Sequence, residues 1–111
     1  TQFYKSGRLK KRFIYKTGRL NGAYTSIYEN GLVKIKGQYS NGMQVNTWSW
    51  YYKNGQLEKE INFLDGQLNG DWKQFYENGQ IKIRAQYLEN KRSGQWMWYD
   101  ESGDHISSII Y

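Results

Sequence analysis

The chain has 111 residues, no cysteine, no proline, a single histidine, 18% aromatic residues and a formal net charge of +6 at pH 7. The lack of cysteine excludes disulfides, cysteine metal ligands and thiol nucleophiles, while the positive charge favours acidic partners: protein, anionic lipid or nucleic acid. Many aromatic residues without proline are typical of β-strands, where rings pack well and proline would interrupt the hydrogen-bond ladder.

Glycine recurs every 24 residues, at Gly7, Gly31, Gly55, Gly79 and Gly103. A tyrosine precedes four of these glycines by three residues, at Tyr4, Tyr28, Tyr52 and Tyr76. A fixed period of this kind indicates one supersecondary unit repeated side by side. We therefore predict a single repeat domain, and we expect further repeats beyond it, end-to-end association, or both. Its units lie near residues 1–21, 22–45, 46–69, 70–93 and 94–111.

Three further columns share the period. Two are aromatic: Tyr15, Tyr39, Phe63, Tyr87 and Tyr111, and also Tyr24, Trp48, Trp72 and Trp96. The third column is apolar and holds Leu9, Val33, Leu57 and Ile81 until His105 interrupts it, which marks the last unit as degenerate or terminal. Since a thin sheet buries little other surface, we interpret the aromatic columns as structural.

The local signals predict a β-hairpin in each unit. Asn-Gly occurs at residues 30–31, 54–55 and 78–79 between apolar runs, and it suits a two-residue type I′ turn. Counting outward from such turns gives the predicted opposite pairs: Tyr52 with Leu57, Trp48 with Ile61, Tyr76 with Ile81, Trp72 with Ala85, Ser26 with Ile35, Trp50 with Lys59, Gln74 with Ile83 and Trp98 with Ser107. A register slipped by one residue would lose the match between large and small members of these pairs.

Turn-forming residues also lie between the hairpins, at 16–22, 40–42, 64–70 and 88–90, and we expect longer connections there. The predicted fold is all-β: an elongated, single-layer antiparallel meander of repeated hairpins with a 24-residue period. About ten strands at roughly 4.8 Å each would make it some 45 Å long.

The repeated pattern W-x-x-x-Y-x-N-G-x-L resembles the MORN repeat family, especially its bacterial variant, the YwqK-like antitoxin proteins. Residues 52–57 and 63–72 carry the resemblance most fully, whereas Asn90, Asp100 and His105 depart from the pattern. The resemblance implies a single-layer β meander that binds proteins or membranes, and it supplies no catalytic residue. For an antitoxin-like protein it implies a bacterial cytoplasmic location, and otherwise a surface or secreted one.

The residues do not indicate an enzyme. His105 is the single histidine, most carboxylates fall at turns, and the strand carboxylates Glu58 and Glu60 have no companion residues that would form a pocket around them. We therefore predict no catalytic residue, no cofactor-binding residue and no metal site.

The second face of the sheet carries charge, and we predict that it binds a partner. The candidate face comprises Phe3, Lys10, Arg12, Lys34, Lys36, Tyr51, Phe75, Lys82, Arg84 and Tyr99. Phe3, Ile27, Tyr51, Phe75 and Tyr99 are expected opposite Lys10, Lys34, Glu58, Lys82 and Ile106, which would set rings beside cations. Alternatively, the basic side chains only cover the exposed rings with their methylene stems.

These features predict a non-catalytic scaffold for a protein partner, of antitoxin type in the form that the resemblance implies. The alternative is a membrane-associated or surface module that binds anionic lipid head groups. Nucleic acid is disfavoured, because Glu58 and Glu60 interrupt the basic track and no nucleic-acid motif is present. Open sheet edges can accept another strand, either from a partner or from a second copy of the chain.

Overall fold

The computed structural model describes residues 21–111 throughout, and residues 2–3, 9–12, 15–16 and 19–20 as strand backbone. Within these ranges every regular element is a β-strand. The strands are β1 Gln2–Phe3, β2 Leu9–Arg12, β3 Tyr15–Lys16, β4 Arg19–Leu20, β5 Gly22–Ile27, β6 Val33–Ser40, β7 Met43–Tyr51, β8 Leu57–Leu64, β9 Gln67–Phe75, β10 Ile81–Leu88, β11 Lys91–Tyr99 and β12 His105–Ile110.

Ten strands form one antiparallel sheet in the order β1-β2-β5-β6-β7-β8-β9-β10-β11-β12, and β3 pairs with β4 separately. The eight strands from β5 to β12 follow one another in chain order, so this part of the sheet is a simple meander. The principal extents of 44 × 31 × 13 Å are those of one layer. The predicted all-β, single-layer antiparallel fold is confirmed, and ten of the twelve described strands lie in the main sheet.

The Asn-Gly turns at one edge of the sheet differ from the prediction. In the turn after β7, the amide of Gly55 donates to the Tyr52 carbonyl (3.0 Å), and the amide of Tyr52 donates to the Gln56 carbonyl (2.8 Å). Gly55 has a φ of +90°, whereas Asn54 is not among the residues with positive φ. The loop therefore has three residues and ends in a glycine bulge, and the predicted two-residue type I′ turn is wrong here.

Two-residue turns lie at the opposite edge, where longer connections were expected. Asn41 (φ 51°) and Gly42 (φ 82°) join β6 to β7, and Asp65 (φ 47°) and Gly66 (φ 83°) join β8 to β9. The third turn, between β10 and β11, uses Glu89 and Asn90 at φ 48° and 68°. Positive φ at both central residues is the type I′ geometry, so longer connections were the wrong expectation for these three. Asparagine tolerates this φ, and the turn persists without a glycine at position 90.

Beyond the turns the predicted register is correct. Trp48 lies opposite Ile61 and Trp50 opposite Lys59. The other predicted mid-hairpin pairs are also observed: Ser26 with Ile35, Gln74 with Ile83, Trp72 with Ala85 and Trp98 with Ser107.

Next to the turns, the predicted pairs of Tyr52 with Leu57 and of Tyr76 with Ile81 are wrong. Leu57 lies opposite Tyr51, and Glu58 is a bulge residue inserted before the Trp50–Lys59 pair. The three-residue loop shifts the register by one residue, and the bulge restores it. Corresponding shifts occur in the other hairpins, where the observed pairs are Phe3–Leu9, Ile27–Val33, Phe75–Ile81 and Tyr99–His105. The expected opposition of Phe3, Ile27, Tyr51, Phe75 and Tyr99 to Lys10, Lys34, Glu58, Lys82 and Ile106 is therefore wrong.

Candidate functional site

One side of the sheet, the aromatic face, carries the core. The rings form two groups, which we call the first and second aromatic clusters. The first cluster contains Tyr24, Tyr39, Trp48, Trp50 and Phe63. The second contains Trp72, Tyr87, Trp96, Trp98 and Tyr111. Trp48 is 2% exposed and Trp96 is 5% exposed, so the rings bury one another and serve the fold, as ring pairs do in other cores.

The residue between neighbouring rings decides whether they stack. Tyr24 and Trp48 stack at 5.2 Å on either side of β6, where Gly37 leaves room for the indole. Trp72 and Trp96 stack at 6.2 Å on either side of β10, where the intervening residue is Ala85. On β8 the corresponding residue is Ile61. In the described chain no ring contact joins Trp48 to Trp72 across it.

The Tyr-x-Asn motif links each unit to the next along the Asn-Gly turn edge. Tyr52 Oη donates to the Phe75 carbonyl (2.7 Å), and Asn54 Nδ2 donates to the Glu77 carbonyl (3.4 Å). Equivalent bonds run from Tyr28 to Tyr51, from Tyr76 to Tyr99, from Asn30 to Lys53 and from Asn78 to Glu101. We call these bonds the edge ladder, and they give the motif a structural role.

Asp100 takes the tyrosine position of the motif in the last turn. Its carboxylate accepts the amides of Ser102 and Asp104, each at 2.9 Å. A carboxylate is an acceptor only, so Asp100 stabilises its own turn and lacks the donor that Tyr76 uses in the edge ladder.

The opposite side of the sheet carries a straight line of directly paired residues, the polar row. One residue from each of the strands β5 to β12 contributes to it: Thr25, Lys36, Ser49, Glu60, Lys73, Arg84, Met97 and Ser108. Opposite residues of an antiparallel pair point to the same face with Cβ atoms about 4.5–5.5 Å apart. The row therefore crosses the strands as an open surface that contains charges of both signs.

The polar row includes only part of the predicted binding face. Lys36 and Arg84 lie in it, whereas the ammonium groups of Lys34 and Lys82 lie 5.7 and 5.5 Å from the ring centroids of Tyr28 and Tyr76 at the turn edge. The bulges cause this separation, because Lys34 and Lys82 have no partner in the restored register.

The remaining members of the predicted face lie outside the polar row. Tyr51, Phe75 and Tyr99 are half-buried at strand ends, and their carbonyls accept the edge-ladder bonds. The side chains of Phe3, Lys10 and Arg12 lie outside the described residues. The backbone of Arg12 pairs with Thr25, which is the first residue of the polar row.

Two shallow depressions lie along the polar row and meet at Lys73. One, of about 420 Å³, is lined by Asp71, Lys73, Arg84, Ala85, Gln86, Gln95 and Met97. The other, of about 280 Å³, is lined by Thr47, Glu60, Asn62, Asp71 and Lys73. Sequence reasoning missed Lys73 and Met97. Their column reads Thr25, Ser49, Lys73 and Met97, and this variation from unit to unit hides a periodic signal.

Within the described residues no three histidine or acidic side chains are placed to hold a metal ion. His105 is exposed and makes an edge contact with the Tyr99 ring, with the ring centroids 5.7 Å apart. The described residues contain no helix that could span a membrane. Among the described residues, the polar row is a repeated surface whose side chains differ in chemistry from strand to strand.

A family model for the MORN repeat variant matches the chain at residues 20–41, 44–65 and 68–89. The three matches begin 24 residues apart and together cover more than half of the 111 residues. No curated protein matches the chain. MORN repeats are commonly protein- or membrane-binding modules and are generally non-catalytic. The predicted family is confirmed: the chain belongs to the MORN repeat variant family.

Proposed function

We propose that this protein is a non-catalytic scaffold that binds a protein partner along the polar row. The observation that carries the proposal is the unbroken row of eight paired residues, one from each strand between β5 and β12. Such a row offers a long contact surface without an enclosed pocket. Its mixed sequence of Lys36, Glu60, Lys73 and Arg84 suits a partner whose own charges vary in sign along its length.

The aromatic face is the weaker candidate surface. Its central rings are occupied with one another, and the indole N–H groups of Trp48 and Trp96 donate to the carbonyls of Gln38 (3.0 Å) and Gln86 (3.1 Å). A partner on that face would meet the outer edge of a packed core. On the polar row it meets the exposed side chains of Lys36 and Arg84.

Photo-cross-linking from single positions tests which face binds. A photoreactive residue replaces Ser49 in the polar row, and the matched control carries it at Gln74 on the aromatic face, which is half-buried like Ser49. In cells that make the protein, we expect one polypeptide to be captured from position 49 and not from position 74. Capture from position 74 alone, or from neither position, would contradict the proposal.

An antitoxin-type binder is the specific form of this scaffold that we propose, because a repeated rigid surface can cover an active site or binding site on a toxin. The test uses the polypeptide captured from position 49. Its expression alone should arrest growth, and co-expression of this protein should restore it. If the captured polypeptide does not arrest growth, the scaffold proposal is retained and the antitoxin form is wrong.

Binding of anionic lipid is the second candidate, favoured by the net charge of +6. Binding by surface charge alone weakens steeply as salt rises, whereas a protein interface that excludes water persists. We expect vesicles containing phosphatidylserine to bind weakly, because Glu60 and Asp71 lie beside the cations of the polar row and repel anionic head groups. Tight binding to such vesicles that is lost at high salt would favour the lipid alternative.

A further inference from the structure

The polar row contains two cations directly opposite each other. Lys73 on β9 pairs with Arg84 on β10, and both line the 420 Å³ depression. We propose that this pair binds carboxylates of an acidic α-helix that lies across the strands, an inference that rests on the proposed function. The occupant is thus a helical segment of the protein partner with acidic residues on one face.

The chemistry of the pair favours an anion. Like charges directly opposite each other in a sheet are destabilising, and only Lys73 has a carboxylate, that of Glu60, as its opposite residue on the other side. Arg84 has Met97 on its far side. Glu60 and Asp71 offset part of the charge of the pair. The exposed Arg84 has no carboxylate directly opposite it, and its guanidinium can bind an incoming carboxylate through two parallel hydrogen bonds.

The spacing of the row favours a helix over an extended chain. Neighbouring strands are about 4.8 Å apart, and side chains one turn apart on a helix are about 5–6 Å apart at Cβ. A helix along the row therefore presents about one side chain to each strand. Alternate residues of an extended segment repeat about every 6.6 Å, which would lose register with the row after two strands.

The neighbours of the pair favour a polypeptide over a phosphate polymer. Glu60 lies one strand from Lys73 along the row, and Asp71 lines the same depression as both cations. A continuous line of phosphates would be repelled there. A helix can place a lysine or arginine one turn from its carboxylates, opposite Glu60. Met97 adds a flexible apolar contact at the other end of the depression.

Two synthetic peptides of about 20 residues, long enough to be helical, test the proposal by fluorescence anisotropy. Both contain the same alanine, glutamate and lysine residues. In the facial peptide the glutamates recur at i, i+4 and i+8 with a lysine one turn away, whereas in the scattered peptide they surround the helix. We expect the facial peptide to bind at least tenfold more tightly. Equal binding of the two peptides, or no binding, would overturn the helix proposal.

A matched pair of double variants identifies the site. Lys73→Gln with Arg84→Gln should weaken binding of the facial peptide about tenfold, equivalent to about 1.4 kcal/mol. Lys34→Gln with Lys82→Gln removes the same net charge away from the polar row and should change the affinity less than twofold. Circular dichroism checks that both variants fold. Equal losses in both would show binding by net charge and overturn the site.

The outcome of the peptide test is distinguishable from that of cross-linking. A polypeptide captured from position 49 together with equal binding of the two peptides would retain the proposed function and reject the acidic helix. Vesicles of phosphatidylserine serve as a competing probe. If the vesicles bind more tightly than the facial peptide, and if Lys73→Gln with Arg84→Gln weakens vesicle binding as much as peptide binding, the occupant is lipid and the proposal is wrong.

Discussion

The two aromatic clusters occupy equivalent places in the repeat and are built differently. In the first, Trp48 lies directly over the backbone of Gly37, and its partner ring is Tyr24 at 5.2 Å. In the second, the methyl group of Ala85 lies between Trp72 and Trp96, which stack 6.2 Å apart. One methyl group thus accompanies a wider stack. The small residue beneath the rings, Gly37 or Ala85, therefore sets how closely they stack.

Ile61 separates the two clusters. It is 8% exposed and lies opposite Trp48 on one side and Trp72 on the other. Its larger side chain fills the space that Gly37 and Ala85 leave to the rings. A repeat sheet can therefore divide a single aromatic face into separate packing units by alternating small and large residues in one column.

The most destabilising substitution that we predict disrupts the first cluster. A Cβ built on Gly37 would overlap the six-membered ring of Trp48, so Gly37→Ala must displace the indole. We expect a loss of about 3 kcal/mol in the free energy of unfolding, the upper part of the range for overpacking. Glycine to alanine within a strand would otherwise stabilise by about 0.5–1 kcal/mol. Urea unfolding followed by tryptophan fluorescence measures the change.

The control for Gly37→Ala is the reverse change in the second cluster. Ala85→Gly removes a methyl group from a residue that is 1% exposed, and we expect a loss of about 1 kcal/mol, since the rings can settle toward the backbone. A Gly37→Ala variant as stable as the wild type would refute the direct packing of Trp48 on that backbone.

The second prediction removes the boundary between the clusters. Ile61→Ala should cost about 2 kcal/mol, the lower end for such truncations, because neighbouring rings can move into the space. Trp48 and Trp72 should then approach each other as the rings over Ala85 do. Exciton coupling in the circular dichroism spectrum should increase. The same loss of stability without a spectral change would mean that Ile61 fills space and does not keep the rings apart.

Much of this core was predictable from the chain. The pairs of Trp48 with Ile61 and Trp72 with Ala85 follow from counting along columns that alternate between faces. The turns were not, because Asn-Gly satisfies both a type I′ turn and a three-residue loop that ends in a glycine bulge. The difference lies in one backbone bond, from Tyr52 to Gln56.

The candidate surface was less predictable than the core. A bulge after each Asn-Gly turn separates Lys34 and Lys82 from Lys36 and Arg84, although alternation along the strand groups all four. Lys73 pairs with Arg84 inside the β9–β10 hairpin, in the register that also places Gln74 opposite Ile83. Glu60 joins Lys73, and Arg84 joins Met97, only when neighbouring hairpins pair across the two-residue turns at the other edge. Sequence reasoning misplaced those turns. Pairing between neighbouring hairpins therefore completes the polar row around the Lys73–Arg84 pair.

The third prediction concerns the bond that joins the unit of the first cluster to that of the second. Tyr52→Phe removes the hydroxyl that donates to the Phe75 carbonyl, and we expect a loss of about 1 kcal/mol, the net value of one such hydrogen bond. Amide hydrogen exchange should quicken at this edge. Tyr51→Phe, which removes a neighbouring hydroxyl outside the edge ladder, is the control. Equal effects of the two variants would show that the ladder bond contributes nothing.

The smallest predicted change is in the pH dependence of folding stability, and it distinguishes the first cluster from the second. Burial raises the pKa of Tyr24 above its ordinary value of 10.0, and a hydrogen bond with Ser26 partly opposes this shift. Burial also raises the pKa of Tyr39, and the charge of Tyr24 adds a smaller contribution in the same direction. The unfolded chain therefore loses these protons first. The neutral phenols stabilise the fold fully below about pH 10, and this contribution is lost as the pH rises through the folded-state pKa values. In the second cluster, a non-titrating tryptophan, Trp72, occupies the position of Tyr24.

Urea unfolding from about pH 8 to about pH 11 should show stability falling with pH, and the double variant Tyr24→Phe with Tyr39→Phe should flatten that fall. An unchanged slope in the double variant would assign the alkaline sensitivity to tyrosines outside the first cluster.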